Sequence, residues 1–345
     1  MASSATRRVL RLNAIAVVVA FLLLELGARL VTGRLLAWGP LEDRGSHGRL
    51  DPVLGHVPRS GLSMRVRGEF TVTIEEDGTR SNGGGPALAR PLTLVVGDSF
   101  AFGDEVDDAE TWPAVLEQLT GARVVNGAVP GFGLDQAVLR AEALAESHRP
   151  DVVVVSFIPH DVRRCEMSIW SGNAKPWFDV DGERLVAHPP PSSWLRWTLG
   201  RPLSHSVLLD TLLGDRLQRD GPDTTVHERG VEVACLLMDR LAALSDRAGA
   251  RIVVLAQPQT PLPNEPRYGD GRAEDRPDDL EIVASVLGCA AERGLRTLDL
   301  IPVVAALEPE HRARRFRGHG HNSPEGNRMI AARVRAFLAE VPEAP

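Results

Sequence analysis

The chain has 345 residues, 43% of them hydrophobic, and 46 acidic residues against 39 Lys and Arg give a net charge of −7. That is the composition of a globular protein with enough apolar content for a sizeable core, and it lacks the basic face that nucleic acid binding requires. The three cysteines show no CxxC spacing, so they imply no metal site. Cys235 and Cys289 fall in helix-like apolar patterns and read as core residues. Cys165 follows Asp161-Val162-Arg163-Arg164 in a loop and could be exposed. A single disulfide is allowed, but spacing alone does not assign it.

At the amino terminus, Arg7, Arg8 and Arg11 precede an apolar stretch over residues 12–32. About 20 such residues span a bilayer as a helix, and basic residues ahead of them keep the amino end, residues 1–11, in the cytoplasm. No small-x-small cleavage site follows. The reading is therefore an uncleaved signal anchor, with a cleaved signal peptide as the competing one. Both export the rest of the chain, to the periplasm or the cell exterior. Glu25 and Arg29 stand four apart and can pair on one helix face.

Residues 33–90 read as a linker with a short β segment at Phe70-Thr71-Val72-Thr73-Ile74, followed by an Asp77-Gly78 turn and a flexible stretch at 81–85. From residue 91 the pattern alternates. Apolar, β-branched runs at 92–96, 123–125, 152–157, 252–255 and 297–300 predict five strands. Stretches near 109–119, 135–147, 227–247, 279–293 and 324–339 predict helices. Continuous apolar strands separated by helices predict a three-layer α/β/α domain over 91–340, with a mostly parallel five-stranded sheet covered on both faces. Ligands of such sheets bind beyond the carboxyl ends of the strands, which puts Ser99, Gly131 and His160 on one rim. An insertion at 163–225 holds Trp170, Trp177, Trp194 and Trp197. It reads either as a surface excursion or as a flap beside the site.

Three motifs carry the chemistry: Gly97-Asp98-Ser99-Phe100 after the first strand, Val125-Asn126-Gly127-Ala128-Val129-Pro130-Gly131 after the second, and His321-Asn322-Ser323-Pro324-Glu325-Gly326 opening the last helix. A serine at a strand end and a distant histidine are what activated-hydroxyl catalysis needs. In this order they resemble the SGNH/GDSL hydrolase superfamily over most of residues 91–340. Asp51-Pro52-Val53-Leu54-Gly55 and Gly78-Thr79-Arg80 resemble its membrane-anchored bacterial members. The resemblance implies an SGNH/flavodoxin-like fold, Ser99 as nucleophile, His321 as base, and the backbone N–H groups of Ser99 and Gly131 as oxyanion donors.

Two positions depart from that family's pattern. His160 stands where an oxyanion asparagine is expected; a neutral imidazole can replace it as donor if its tautomer is fixed. Asp161 reads as structural. The aspartate expected shortly before the histidine is missing, since residues 317–320 are Arg-Gly-His-Gly. His319 is a candidate orienting residue, with a backbone carbonyl or a carboxylate from elsewhere as alternatives. The Gly318-His319-Gly320-His321 run also permits a metal reading with His160 as a third ligand, but the resemblance already accounts for His321, and no metal or cofactor is expected. The expected function is serine-dependent hydrolysis or transfer of an acyl ester outside the cytoplasm, on an ester-bearing small molecule, an acetylated glycan or a lipid. The alternative is a catalytically impaired carbohydrate- or lipid-binding module of the same fold.

Overall fold

The computed structural model describes residues 4–31, 48–66, 68–85, 88–191, 206–209, 212, 224, 229–260, 278–318 and 320–340. The chain forms two units. One comprises residues 1–46 and 192–222, the other 47–191 and 223–345.

In the smaller unit, helix α1 (Ser4–Val31) contains a stretch, Arg7–Val31, long and apolar enough to cross a membrane, and almost all of its apolar side chains are exposed. Glu25 pairs with Arg29 at 2.6 Å, as the i,i+4 spacing predicts. Its carboxylate also accepts from Ser206 Oγ and from the backbone N–H groups of Val207 and Leu208. Trp194 and Trp197 lie outside the described residues.

The larger unit opens with two short antiparallel hairpins, β1 (Gly48–Asp51) with β2 (Gly55–Pro58) and β3 (Ser63–Val66) with β4 (Phe70–Thr73). Asp77-Gly78 forms the expected turn, with Gly78 N–H donating to Glu75 O. A parallel sheet follows, made of β5 (Leu88–Val96), β6 (Ala122–Asn126), β7 (Val152–Phe157), and, beyond the insertion, β12 (Arg251–Ala256) and β13 (Arg296–Asp299). Its order is β6-β5-β7-β12-β13. Numbered by sequence among themselves, these strands run 2-1-3-4-5, the flavodoxin-like arrangement, whose switch point lies between the first and third strands.

The two-residue period of each strand feeds two apolar layers. Leu94, Val96, Val153, Val155, Ile252 and Val254 face helices α4 (Leu134–His148), α6 (Gly230–Ala248) and α7 (Asp278–Glu292). Val95, Val124, Val154, Val253 and Leu255 face α3 (Trp112–Thr120) and α10 (Pro324–Ala339). Each such Val or Leu contributes about 1.5–3 kcal/mol by leaving water. Val72 and Ile74, from the segment ahead of the sheet, are buried in the second layer.

The insertion begins with α5 (Pro159–Arg163) and a 3-10 turn at Arg164–Glu166, then two hairpins: β8 (Ile169–Trp170) with β9 (Asn173–Ala174), and β10 (Trp177–Asp181) with β11 (Arg184–His188). Lys175, the only lysine, is buried and fixes this segment. Its ammonium meets Asp135 Oδ2 at 2.6 Å and the carbonyls of Arg164, Met167 and Pro176. Cys165 is not exposed. The chain turns inward after α5, the thiol points back toward Asp161 O, and burial pushes its pKa well up. Cys235 on α6 and Cys289 on α7 form a disulfide with a Cα–Cα separation of 5.2 Å. The spacing of two helix-borne cysteines could not reveal that pairing, because it depends on how the helices pack.

Candidate active site

Strand β5 ends at the switch point, and Gly97 makes the sharp exit possible. A Cβ on Gly97 would lie 2.7 Å from Ser156 O of the neighbouring strand. Asp98 then caps the short helix α2 (Ser99–Phe102), accepting the Phe100 N–H at 3.0 Å. That cap lifts the Ser99 hydroxyl onto the rim. From the other end of the chain, Ser323 caps α10 by accepting the Gly326 N–H, and Arg317 N–H donates to His321 O. Asn322 reaches Gln257, which follows β12, at 3.5 Å, and Asn327 donates to Glu110 O. These ties hold the His321 loop over the sheet. The result is a 2.9 Å contact between His321 Nε2 and Ser99 Oγ, across a sequence separation of 222 residues. Phe100 packs against the imidazole with ring centroids 5.1 Å apart.

The β6 loop is joined to the same strand end. Gly127 N–H donates to Val95 O, and Val129 N–H to Gly97 O. Asn126 donates to the carbonyls of Ala101 and Phe102, which tethers this loop to α2. Gly131 has φ +79°, a left-handed conformation that favours glycine. An added Cβ would meet only His56 Nε2, at 4.0 Å, so backbone conformation sets the glycine requirement here. His56, on β2, donates from Nε2 to Pro130 O at 2.9 Å, and burial lowers its pKa.

His160 stands at the end of β7, beside β5. Arg164 Nη2 lies 2.9 Å from its Nδ1. A guanidinium only donates, so Nδ1 accepts and the ring proton of the neutral form sits on Nε2. The same guanidinium donates from Nη1 to Phe132 O and Asp161 Oδ1, so one side chain ties the Gly131 loop to the His160 turn. Trp170 stands edge-on to His160 and under the Arg164 guanidinium. Asp161 accepts the Ile158 N–H, the structural role expected of it. Burial, then the charge of Asp98, push its carboxyl well up, and burial also raises Asp98.

The sheet therefore puts Ser99, Gly131 and His160 on one rim and brings Ser99 and His321 into contact. His319 lies outside the described residues, and with it both the orienting role and the metal set that would include it. Three residues at the site escaped the sequence reading. Arg164 is one of many arginines and carries no local signal. Asp104 and Glu105 belong to the acidic run Asp104-Glu105-Val106-Asp107-Asp108, which resembles a solvated loop. In the structure Glu105 Oε1 lies 3.6 Å from His321 Nδ1, and Asp104 Oδ2 lies 4.0 Å from Nε2. The Asp104 carboxyl is pushed up to about 6 by the loss of water around it, against the pull of His321 and Arg80.

No family model matches the chain, and no curated protein does. Among solved structures, 61 chains match. TesA is 18% identical, with 72% of this chain and 97% of that one covered and a TM-score of 0.39. A lipase/acylhydrolase from Enterococcus faecalis is 13% identical, covering 74% and 99%, with a TM-score of 0.43. A catalytic mutant of Axe2, an acetylxylan esterase from Geobacillus stearothermophilus, is 18% identical, covering 74% and 96%, with a TM-score of 0.39. At such values the fold assignment rests on the sheet order of this chain itself, and the chemistry rests on its rim.

Proposed function

We propose that this protein is an SGNH-type serine esterase or acyltransferase, anchored by α1 and working outside the cytoplasm. The observation that carries the reading is the 2.9 Å contact of Ser99 Oγ with His321 Nε2 at the switch point of the sheet. With Nε2 unprotonated, His321 takes the hydroxyl proton while Ser99 Oγ attacks the ester carbonyl. The negative charge that develops on the carbonyl oxygen is met by the N–H groups of Ser99 and Gly131 and by His160 Nε2–H. Collapse of the adduct expels the alcohol, which receives the proton from His321 and leaves an acyl-Ser99. Water, or a second alcohol, then attacks with His321 again acting as base. Hydrolysis releases the acid; transfer releases a new ester.

Export is supported by the basic residues ahead of α1 and by the Cys235–Cys289 disulfide, a bond characteristic of oxidising compartments. For an anchored enzyme facing the envelope, acetylated glycans or lipids are the substrates within reach. Trp170 beside His160 offers an apolar wall for them. The full chain in detergent micelles is expected to hydrolyse a nitrophenyl acetate, and Ser99→Ala to abolish the activity while the circular dichroism spectrum stays unchanged. No turnover by the wild type above the uncatalysed rate would point to the binding-module alternative, and equal turnover by wild type and Ser99→Ala would overturn Ser99 as the nucleophile.

A further inference from the structure

We propose that Glu105 is the positioning residue for His321, taking over from another loop the role of the carboxylate missing before that histidine. The inference rests on the reading of Ser99 and His321 as nucleophile and base. Its geometric basis is independent of that reading.

His321 Nδ1 is buried and has no hydrogen-bond partner among the described residues. The group nearest to satisfying it is Glu105 Oε1, at 3.6 Å. That is an ion-pair distance rather than a hydrogen bond, and such contacts shorten when substrate closes a site. Asp104 and Asp98 are the other acidic groups whose charge reaches this imidazole. Asp104 approaches the opposite nitrogen, Nε2; Asp98 spends Oδ1 on the cap of α2, and its buried, unpartnered Oδ2 makes no ion pair with either nitrogen of His321 among the described residues. Among the described residues, only Glu105 addresses the nitrogen that must stay protonated while Nε2 accepts the serine proton.

The backbone supplies a second, separate observation. Glu105 has φ +69°, a left-handed conformation that a non-glycine residue adopts only when its surroundings impose it. Here they do. Arg80 is buried at 2% exposure, and its guanidinium grips the loop on both sides of Glu105. Nη1 donates to Phe102 O at 2.9 Å and Gly103 O at 2.5 Å, and Nη2 donates to Val106 O at 2.7 Å. Asp108 holds Arg80 Nε at 3.2 Å, while Gly103 and Asp104 N–H groups both donate to Ser99 O. The loop that bears Glu105 is thus built outward from the nucleophile itself. Arg80 comes from the segment ahead of the sheet, so that segment helps to shape the site.

The test compares wild type, Glu105→Gln and Glu105→Asp as full chains in micelles, by steady-state kinetics on nitrophenyl acetate and by the NMR shift of the His321 Nδ1–H proton. Glu105→Gln keeps the shape and removes the charge. We expect kcat to fall by about 10²–10⁴-fold with KM changed less than about threefold, because the interaction strengthens in the transition state. Its His321 Nδ1–H proton resonance should lie upfield of the wild-type position, since a neutral amide accepts a weaker hydrogen bond than a carboxylate. Glu105→Asp, with the charge on a shorter arm, should retain more turnover than the Gln variant. Turnover of Glu105→Gln within about twofold of wild type would overturn the proposal. So would a loss of turnover with an unchanged Nδ1–H resonance, which is what a merely structural role produces. If the wild type turns over no ester, or its turnover survives Ser99→Ala, the esterase reading fails, and the Nδ1–H resonance still decides whether Glu105 governs His321.

Discussion

At the scale of single residues, the rim gathers carboxylates around a histidine, and their protonation connects the site to stability. Asp104 shows this most simply. Its folded-state pKa of about 6 lies above the unfolded carboxylate range, so the folded protein holds this proton more tightly than the unfolded chain does. Stability is then lost as pH rises from about 4 to about 6, and the whole cost is present above that window. Asp104→Asn copies the protonated form. It should raise Tm relative to wild type at pH 8 and change it little at pH 4. A gain of equal size at both pH values would show that the carboxylate's charge is not what burdens the fold. Arg164 illustrates another residue-scale device. By donating to His160 Nδ1 it sets the tautomer of that ring.

The secondary-structure elements show which parts of this architecture a sequence displays. The five sheet strands were legible because runs such as Val152-Val153-Val154-Val155 are both β-branched and apolar throughout, a pattern that requires burial on both faces. Helix α10 was legible because Ser323 and Pro324 give it a cap and a first turn. The hairpins at 48–58 and 63–73 were harder to read, since strands of four residues carry too little period to detect; only the Phe70–Thr73 strand stood out. Glu105 and Arg80 could not be read together at all. Their relation exists only once the segment ahead of the sheet packs beneath the α2 loop, and an acidic run by itself looks like solvated surface. The link between α6 and α7 likewise emerges only from their packing. It closes a sequence separation of 54 residues, and a loop of that size is worth about 2–4 kcal/mol through the entropy it removes from the unfolded chain. Cys235→Ser combined with Cys289→Ser should lower stability by about that amount in denaturant titration. An unchanged midpoint would mean that α6 and α7 are held by their apolar contacts alone.

At the scale of the whole molecule, the proposed enzyme is a sheet of flavodoxin-like order with Ser99 and His321 in contact at its switch point, on a chain that α1 would tether to a membrane. The most direct measurement is the rate and site of covalent modification by an alkyl nitrophenyl phosphonate, mapped by peptide mass spectrometry on the full chain in micelles. The phosphonate reproduces the first half of the proposed cycle: Ser99 Oγ attacks phosphorus, nitrophenolate leaves, and His321 accepts the proton. A single adduct is expected on the peptide containing Ser99, formed more slowly by about 10²–10⁴-fold in His321→Ala, because a general base has been removed. An adduct on any other residue, or labelling of Ser99 at the same rate with and without His321, would contradict it.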